Sequence, residues 1–189
     1  MLPMGASMSD LPASLVDHYA WMARYNAWFN ERLYASALAL DDAERKRDRG
    51  DFFGSIHGTL NHLLLGDKLW LGRFAELPVP LPMLDAEVLA LPPFTGLGMQ
   101  LFEDFETLRL HRAQVDHAIQ GFVAQLTPEL VSADFSYTTT RGATRTQPCW
   151  RALSHFFNHQ THHRGQVTTL LMQAGIDPGD TDLLLTPEA

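Results

Sequence analysis

The sequence predicts an all-α fold, a four-helix bundle with a short β-hairpin before its last helix. Three observations lead there. Apolar residues recur at helical spacing in four long segments. A stretch of strand-forming residues around an Arg-Gly turn interrupts the pattern just before the fourth segment. The composition, 46% hydrophobic and 19% charged over 189 residues, is that of a single domain over 1–189 with a core of its own.

The first helix is predicted over residues 10–40, where Leu11, Leu15, Tyr19, Met22, Phe29, Leu33, Ala37 and Leu40 form the stripe. Asp10 with Pro12 just inside marks its start. Asn26 falls on this stripe where a hydrophobe is expected. The polar segment that follows, ending in Gly50, reads as a linking turn. The second helix, residues 52–76, is apolar nearly all round (Ile56, Leu60, Leu63, Leu64, Leu69, Trp70, Leu71, Phe74), so it should be covered on most sides. His62 lies inside it. Residues 77–98 hold five prolines and predict an irregular crossover. A crossover of that length lets the second and third helices run in the same direction, unlike a simple up-down-up-down order. The third helix is predicted over 99–127, closed by Thr127-Pro128. Residues 133–147 predict the hairpin, with its turn at Arg141-Gly142. The fourth helix is predicted over 148–174, with Pro148 in its first turn and Gly175 past its end. In the turn-rich tail, the Leu183–Leu185 run is expected to fold back on the helices.

Charge narrows the function. Lysine plus arginine number 14 against 22 aspartate plus glutamate, a net charge of −8. The densest basic cluster, Arg45, Lys46, Arg47 and Arg49, is interleaved with Asp48 and Asp51, so nucleic-acid binding is disfavoured. No apolar run of about 18 residues exists, so no membrane span is expected. The first residues lack a basic region and a long apolar run, so no signal peptide is expected, and Met4 and Met8 are alternative starts. The one cysteine, Cys149, excludes an internal disulfide, suits a reducing cytoplasm and reads as a small buried residue at a helix start.

Histidine is the unusual residue. There are nine, four of them between positions 155 and 163. His159 and His163 share the apolar stripe of the fourth helix with Leu153, Phe156, Val167, Leu170, Leu171 and Ala174. Residues at i and i+4 stack on one face with Cβ atoms about 5–6 Å apart, close enough for two imidazoles to grip one ion. A lone inward histidine is ordinarily a hydrogen-bonded core residue. Two in register cost free energy to bury unless each finds partners, and a metal satisfies both at once. A third ligand must then come from another helix, and His62, sharing a face with Leu65 and Leu69, is the best candidate. His155, near the helix start, is expected to be partly solvated. His162 projects about 100° from His163 and is expected to point outward or to a partner chain. Gln160 stands where a metalloprotease of the H-E-x-x-H type needs its glutamate, and no Glu-x-x-His pair of the di-iron type precedes either ligand histidine. Neither a G-x-S-x-G nor a phosphate-loop pattern is present.

Three segments, ARYNAWFNERLY (residues 23–34), SIHGTLNHLLLGDKLWLGRF (55–74) and HFFNHQTHHRGQVTTLLMQAGIDPGDTDLLL (155–185), resemble the DinB family of DinB/YfiT-like metalloenzymes. Together with the hairpin they carry the resemblance over essentially the whole chain. It implies an up-down-down-up helix order, a homodimer, and a divalent metal, nickel or zinc, held by His62, His159 and His163. Gly165 inside a helix costs about 1 kcal/mol against alanine, and close approach of a neighbouring helix is the expected compensation. Gln166 is expected to hydrogen-bond within the site or to a substrate, or else to make a structural polar contact. Asp67 and Asn26 are expected either to orient a ligand histidine or to cap a neighbouring backbone group. Trp70 reads as core.

By analogy with the wider superfamily, the resemblance implies a metal-dependent enzyme, a thiol-dependent S-transferase or a hydrolase, acting on a small-molecule substrate such as a small thiol. A three-histidine site with an open position can lower the pKa of bound water or polarise a carbonyl. Two alternatives stand beside it: a non-catalytic metal-binding stress-response protein, and a dimeric scaffold whose histidines are structural.

Overall fold

Why the predicted first helix begins where it does is answered at Ser14. Its hydroxyl accepts from the Asp17 amide while the Asp17 carboxylate accepts from the Ser14 amide, a reciprocal cap that satisfies two otherwise orphaned donors. The structure, a computed structural model, describes residues 14–187. The start predicted at Asp10 and Pro12, and the alternative starts at Met4 and Met8, lie outside the described residues.

The described chain is mostly helical, with a small two-stranded antiparallel sheet before the last helix. Helix α1 spans Leu15–Leu38, α2 Asp42–Lys46, α3 Ile56–Phe74, α4 Ala86–Leu89, α5 Phe105–Val123, α6 Pro128–Ser132 and α7 Cys149–Gln173. Strands β1 (Asp134–Thr138) and β2 (Thr144–Pro148) pair with Phe135 opposite Gln147 and Tyr137 opposite Arg145. The hairpin forms where its residues predicted it, and Tyr137 packs its ring 5.0 Å from that of Trp70.

Each of the four long helices packs on two others. Helix α1 lies against α5 and α7, and α3 lies against the same two. Between α1 and α7, Tyr19 donates to the Trp150 carbonyl at 2.8 Å, and Asn26 accepts from Arg164. Between α1 and α5, Tyr34 stacks on Phe105 and Asn30 donates to Asp116 at 2.9 Å. Between α3 and α5, Asn61 reaches Phe102 at the mouth of α5 and Asp67 pairs with Arg112. Between α3 and α7, Trp70 packs on His155 and His62 approaches His163. The core they enclose is aromatic at one end, where Phe74 meets Phe122, Phe135 and Phe156. Helix α3 is buried at almost every position from Ile56 to Lys68, as its all-round apolar character requires. Trp70 and Cys149 are buried, as expected.

Several expectations need correcting. The third helix starts at Phe105, not near residue 99, because Asp104 caps it by accepting from the Thr107 amide. The preceding segment is held instead by Asn61, whose Oδ1 accepts from the Leu101 and Phe102 amides. The linking turn after α1 contains α2, and the crossover contains α4, capped by Asp41 and Asp85 respectively. The third helix ends at Val123, capped at Ala124, rather than at Thr127-Pro128, and Pro128 instead opens α6. No heavy atom lies within 4 Å of a Cβ built on Gly165, so no neighbouring helix approaches it. The tail returns to the helices only in part: Tyr25 donates to the Thr181 carbonyl and Leu183 packs on the core, but Leu184 is 86% exposed. Among the described residues no helix is long and apolar enough to cross a membrane.

Candidate metal centre

His62 comes from the middle of α3, and His159 and His163 from successive turns of α7. The structure brings these three side chains together: a ligating nitrogen from each lies within 4.8 Å of the other two. His62 Nε2 is 3.3 Å from His159 Nε2 and 3.2 Å from His163 Nε2. Two ligands at about 2.0–2.1 Å from a tetrahedral ion are separated by about 3.3 Å. Both measured separations are therefore edges of the size such a site requires.

The rings are aimed by their surroundings. His62 Nδ1 lies 2.8 Å from the Leu97 carbonyl, contributed by the proline-rich crossover. A carbonyl only accepts, so that nitrogen carries the proton and Nε2 presents a lone pair. His163 Nδ1 is 2.6 Å from Gln166 Oε1. Phe53 stacks on the His62 ring at 3.8 Å and presents an edge to His163. Gly66, one turn after His62, leaves the space in which the His159 ring lies. Burial pushes His62 down to about 4 and His159 down to about 3, with the neighbouring imidazoles adding to the effect, and burial lowers His163 as well. All three are thus neutral near pH 7, the form in which imidazole ligates. Neutral lone pairs facing one another at this range repel, and a cation between them is what the donor set fits.

The other polar residues singled out in the sequence go elsewhere. Asp67 neither orients a ligand histidine nor caps a backbone group. It accepts from Arg112 at 2.5 Å and from Gln160 at 2.8 Å. Asn26 donates to Asp116 at 2.9 Å and accepts from Arg164. With Asn30, these residues form one buried network joining α1, α3, α5 and α7 beside the histidines. His155 is exposed and packs on Trp70, and His162 is exposed, as their positions predicted. Phe53, Leu97 and Gly66 were not identifiable from the sequence, because each acts through where another segment passes. Arg112 and Asp116 carry a signal in the sequence, charge four residues apart between the apolar Leu108 and Ile119, but their partners depend on which helices pass opposite.

Two hollows flank this region differently. A cavity of about 410 Å3 between α1 and α5, lined by Asn30, Tyr34, Arg112 and Asp116, holds none of the three histidines. A recess of about 330 Å3, lined by Arg49, Asp51, His162, Gln166 and Gln173, adjoins the side chain that touches His163.

Comparison with known proteins gives a consistent result. The family model described as the DinB family matches residues 13–189. Protein DinB of Bacillus subtilis (strain 168) is 27% identical over 158 residues, which cover 84% of this chain and 87% of that protein. No solved structure matches.

Proposed function

This chain belongs to the DinB family, and from that premise we propose that it is a divalent-metal protein whose ion rests on His62, His159 and His163 and serves a thiol-dependent transfer or a hydrolysis. The observation that carries the reading is the convergence of three Nε2 atoms, two of the separations being 3.2 and 3.3 Å, from helices that meet only through tertiary packing. Nickel and zinc both suit imidazole ligands. A divalent ion held by these three residues would supply Lewis acidity towards a thiol sulfur or a carbonyl oxygen.

The protein's own residues divide the remaining work. The three imidazoles hold the ion, the Leu97 carbonyl and Gln166 hold two of the rings, and Phe53 covers the His62 face against water. Among the described residues no carboxylate belongs to the cluster. Asp67, buried nearby, is committed to Arg112 and Gln160, and Gln160 is neutral. The nucleophile is therefore the substrate's own thiol or solvent.

The same premise supports a four-helix bundle in up-down-down-up order within one domain. Tyr19 near Trp150 and Asn26 near Arg164 run α1 and α7 the same way. Asn61 near Phe102 and Asp67 near Arg112 do so for α3 and α5. His62 near His163 and Trp70 near His155 run α3 opposite to α7. A homodimer goes with the family reading and is tested by sedimentation.

Elemental analysis of the native protein should find one divalent ion per chain, and His159→Ala should lose it while keeping its helical circular dichroism. Metal retained in full by that variant would overturn the assignment. Turnover of small thiols with electrophiles, or of ester and amide panels, by the loaded parent and not by the variant tests the reaction class.

A further inference from the structure

Gln166 follows His163 by three residues, and its carboxamide is the group that meets the Nδ1 of His163 among the described residues. With Oε1 2.6 Å from His163 Nδ1, the ring must donate there, and its Nε2 lone pair faces His62. With the carboxamide reversed, its nitrogen would donate to Nδ1, the ring proton would move to Nε2, and His163 would cease to be a ligand. The Leu97 carbonyl that holds His62 has no such second orientation. We propose that Gln166 is a positioning residue that selects the ligating tautomer of His163. The proposal rests on the metal reading above.

Gln166 lines the recess together with Asp51, whose Oδ1 is buried and without a hydrogen-bond partner among the described residues. No hydrogen bond joins Gln166 to Asp51 among the described residues, so the orientation rests on the 2.6 Å contact with the ring.

The test reads the tautomer directly. In 15N-labelled, metal-free protein, long-range 1H–15N spectra report which nitrogen of His163 is protonated. The parent should show the proton on Nδ1. Gln166→Leu should show a mixture or Nε2–H, and Gln166→Glu, which keeps an acceptor that cannot reverse, should retain Nδ1–H. Zinc affinity measured against a chromophoric chelator should fall about 10- to 100-fold in Gln166→Leu and be kept or tightened in Gln166→Glu. The d–d bands of the cobalt-substituted protein should shift in the first variant only. A parent with Nε2–H overturns the proposal, whether or not Gln166→Leu folds. So does a Gln166→Leu variant with parental tautomer and affinity, or a Gln166→Glu variant as weak as the leucine. If the tautomer follows Gln166 but no zinc binds to any form, the metal reading fails and the positioning role stands.

Discussion

Gly66 sits one helical turn beyond His62, and a Cβ built on it would come 2.8 Å from His159 Cε1. A methyl group there must displace the imidazole, because the helix backbone of α3 cannot yield as readily as a side chain. Gly66→Ala removes a glycine from a helix interior, which by propensity alone stabilises by about 1 kcal/mol. The expected outcome is a fold at least as stable as the parent's and a metal affinity at least tenfold weaker. Gly72 lies on the same helix with nothing within 4 Å of its Cβ position. Gly72→Ala should therefore raise the unfolding midpoint and leave the metal in place. Equal metal affinity in both variants would remove Gly66 from the site. None of this was legible in the sequence, where Gly66 is one glycine among 13. Its meaning depends on which residue of α7 passes opposite. The meeting of His62, His159 and His163 was legible, because two imidazoles four residues apart on an apolar stripe have no ordinary explanation, and His62 shares a face with Leu65 and Leu69.

At the scale of elements, the long helices were legible to within a few residues, because an apolar period needs several turns to declare itself. Helices α2, α4 and α6 have five, four and five residues and no period to read. They are made by their caps, Asp41, Asp85 and Thr127, each accepting from amides of the first turn. The polar anomalies Asn26 and Asp67 were legible as anomalies, but their partners were not. What they build is the buried network that ties the long helices together. Arg112 lies between Asp67 and Asp116, with both pairs buried. Removing one carboxylate leaves a desolvated guanidinium half compensated, which costs about 3–5 kcal/mol in buried pairs. Asp67→Ala should therefore lower the urea midpoint sharply. The exposed Asp42–Lys46 pair on α2 has a comparable 2.9 Å separation, but solvent screening leaves such pairs little net effect. Asp42→Ala should not measurably move the same midpoint. Similar losses from the two variants would mean that the network is not what fixes how the helices pack.

For the whole molecule, the histidines make stability depend on pH. His57 is fully buried on α3; its Nε2 lies 2.9 Å from the Phe102 carbonyl and its Nδ1 has no partner among the described residues. Burial lowers its pKa below the usual 6.5. The Phe102 carbonyl opposes that shift, Lys46 adds to it, and Asp42 and Glu103 oppose it. The native protein therefore resists a proton that the unfolded chain accepts. The contribution of His57 to stability is full above about pH 6.5 and is lost as the pH falls towards its depressed native value. Burial lowers His111 and His155 in the same direction. Asp116 acts with the opposite sign: burial pushes it up to about 6, so its contribution is full below its unfolded value near 3.8 and is lost as the pH rises through 6. These opposed effects overlap between pH 4 and 6.5, so the parent's own pH profile does not isolate either. A difference does. In metal-free protein, the unfolding free energy of the parent minus that of His57→Gln should shrink on going from pH 7 to pH 5. The steepest change available to one proton is about 1.4 kcal/mol per pH unit. A difference that stays constant over that range would mean that His57 takes up its proton as readily in the folded protein as in the unfolded chain, and that the buried Nδ1 is reached by water.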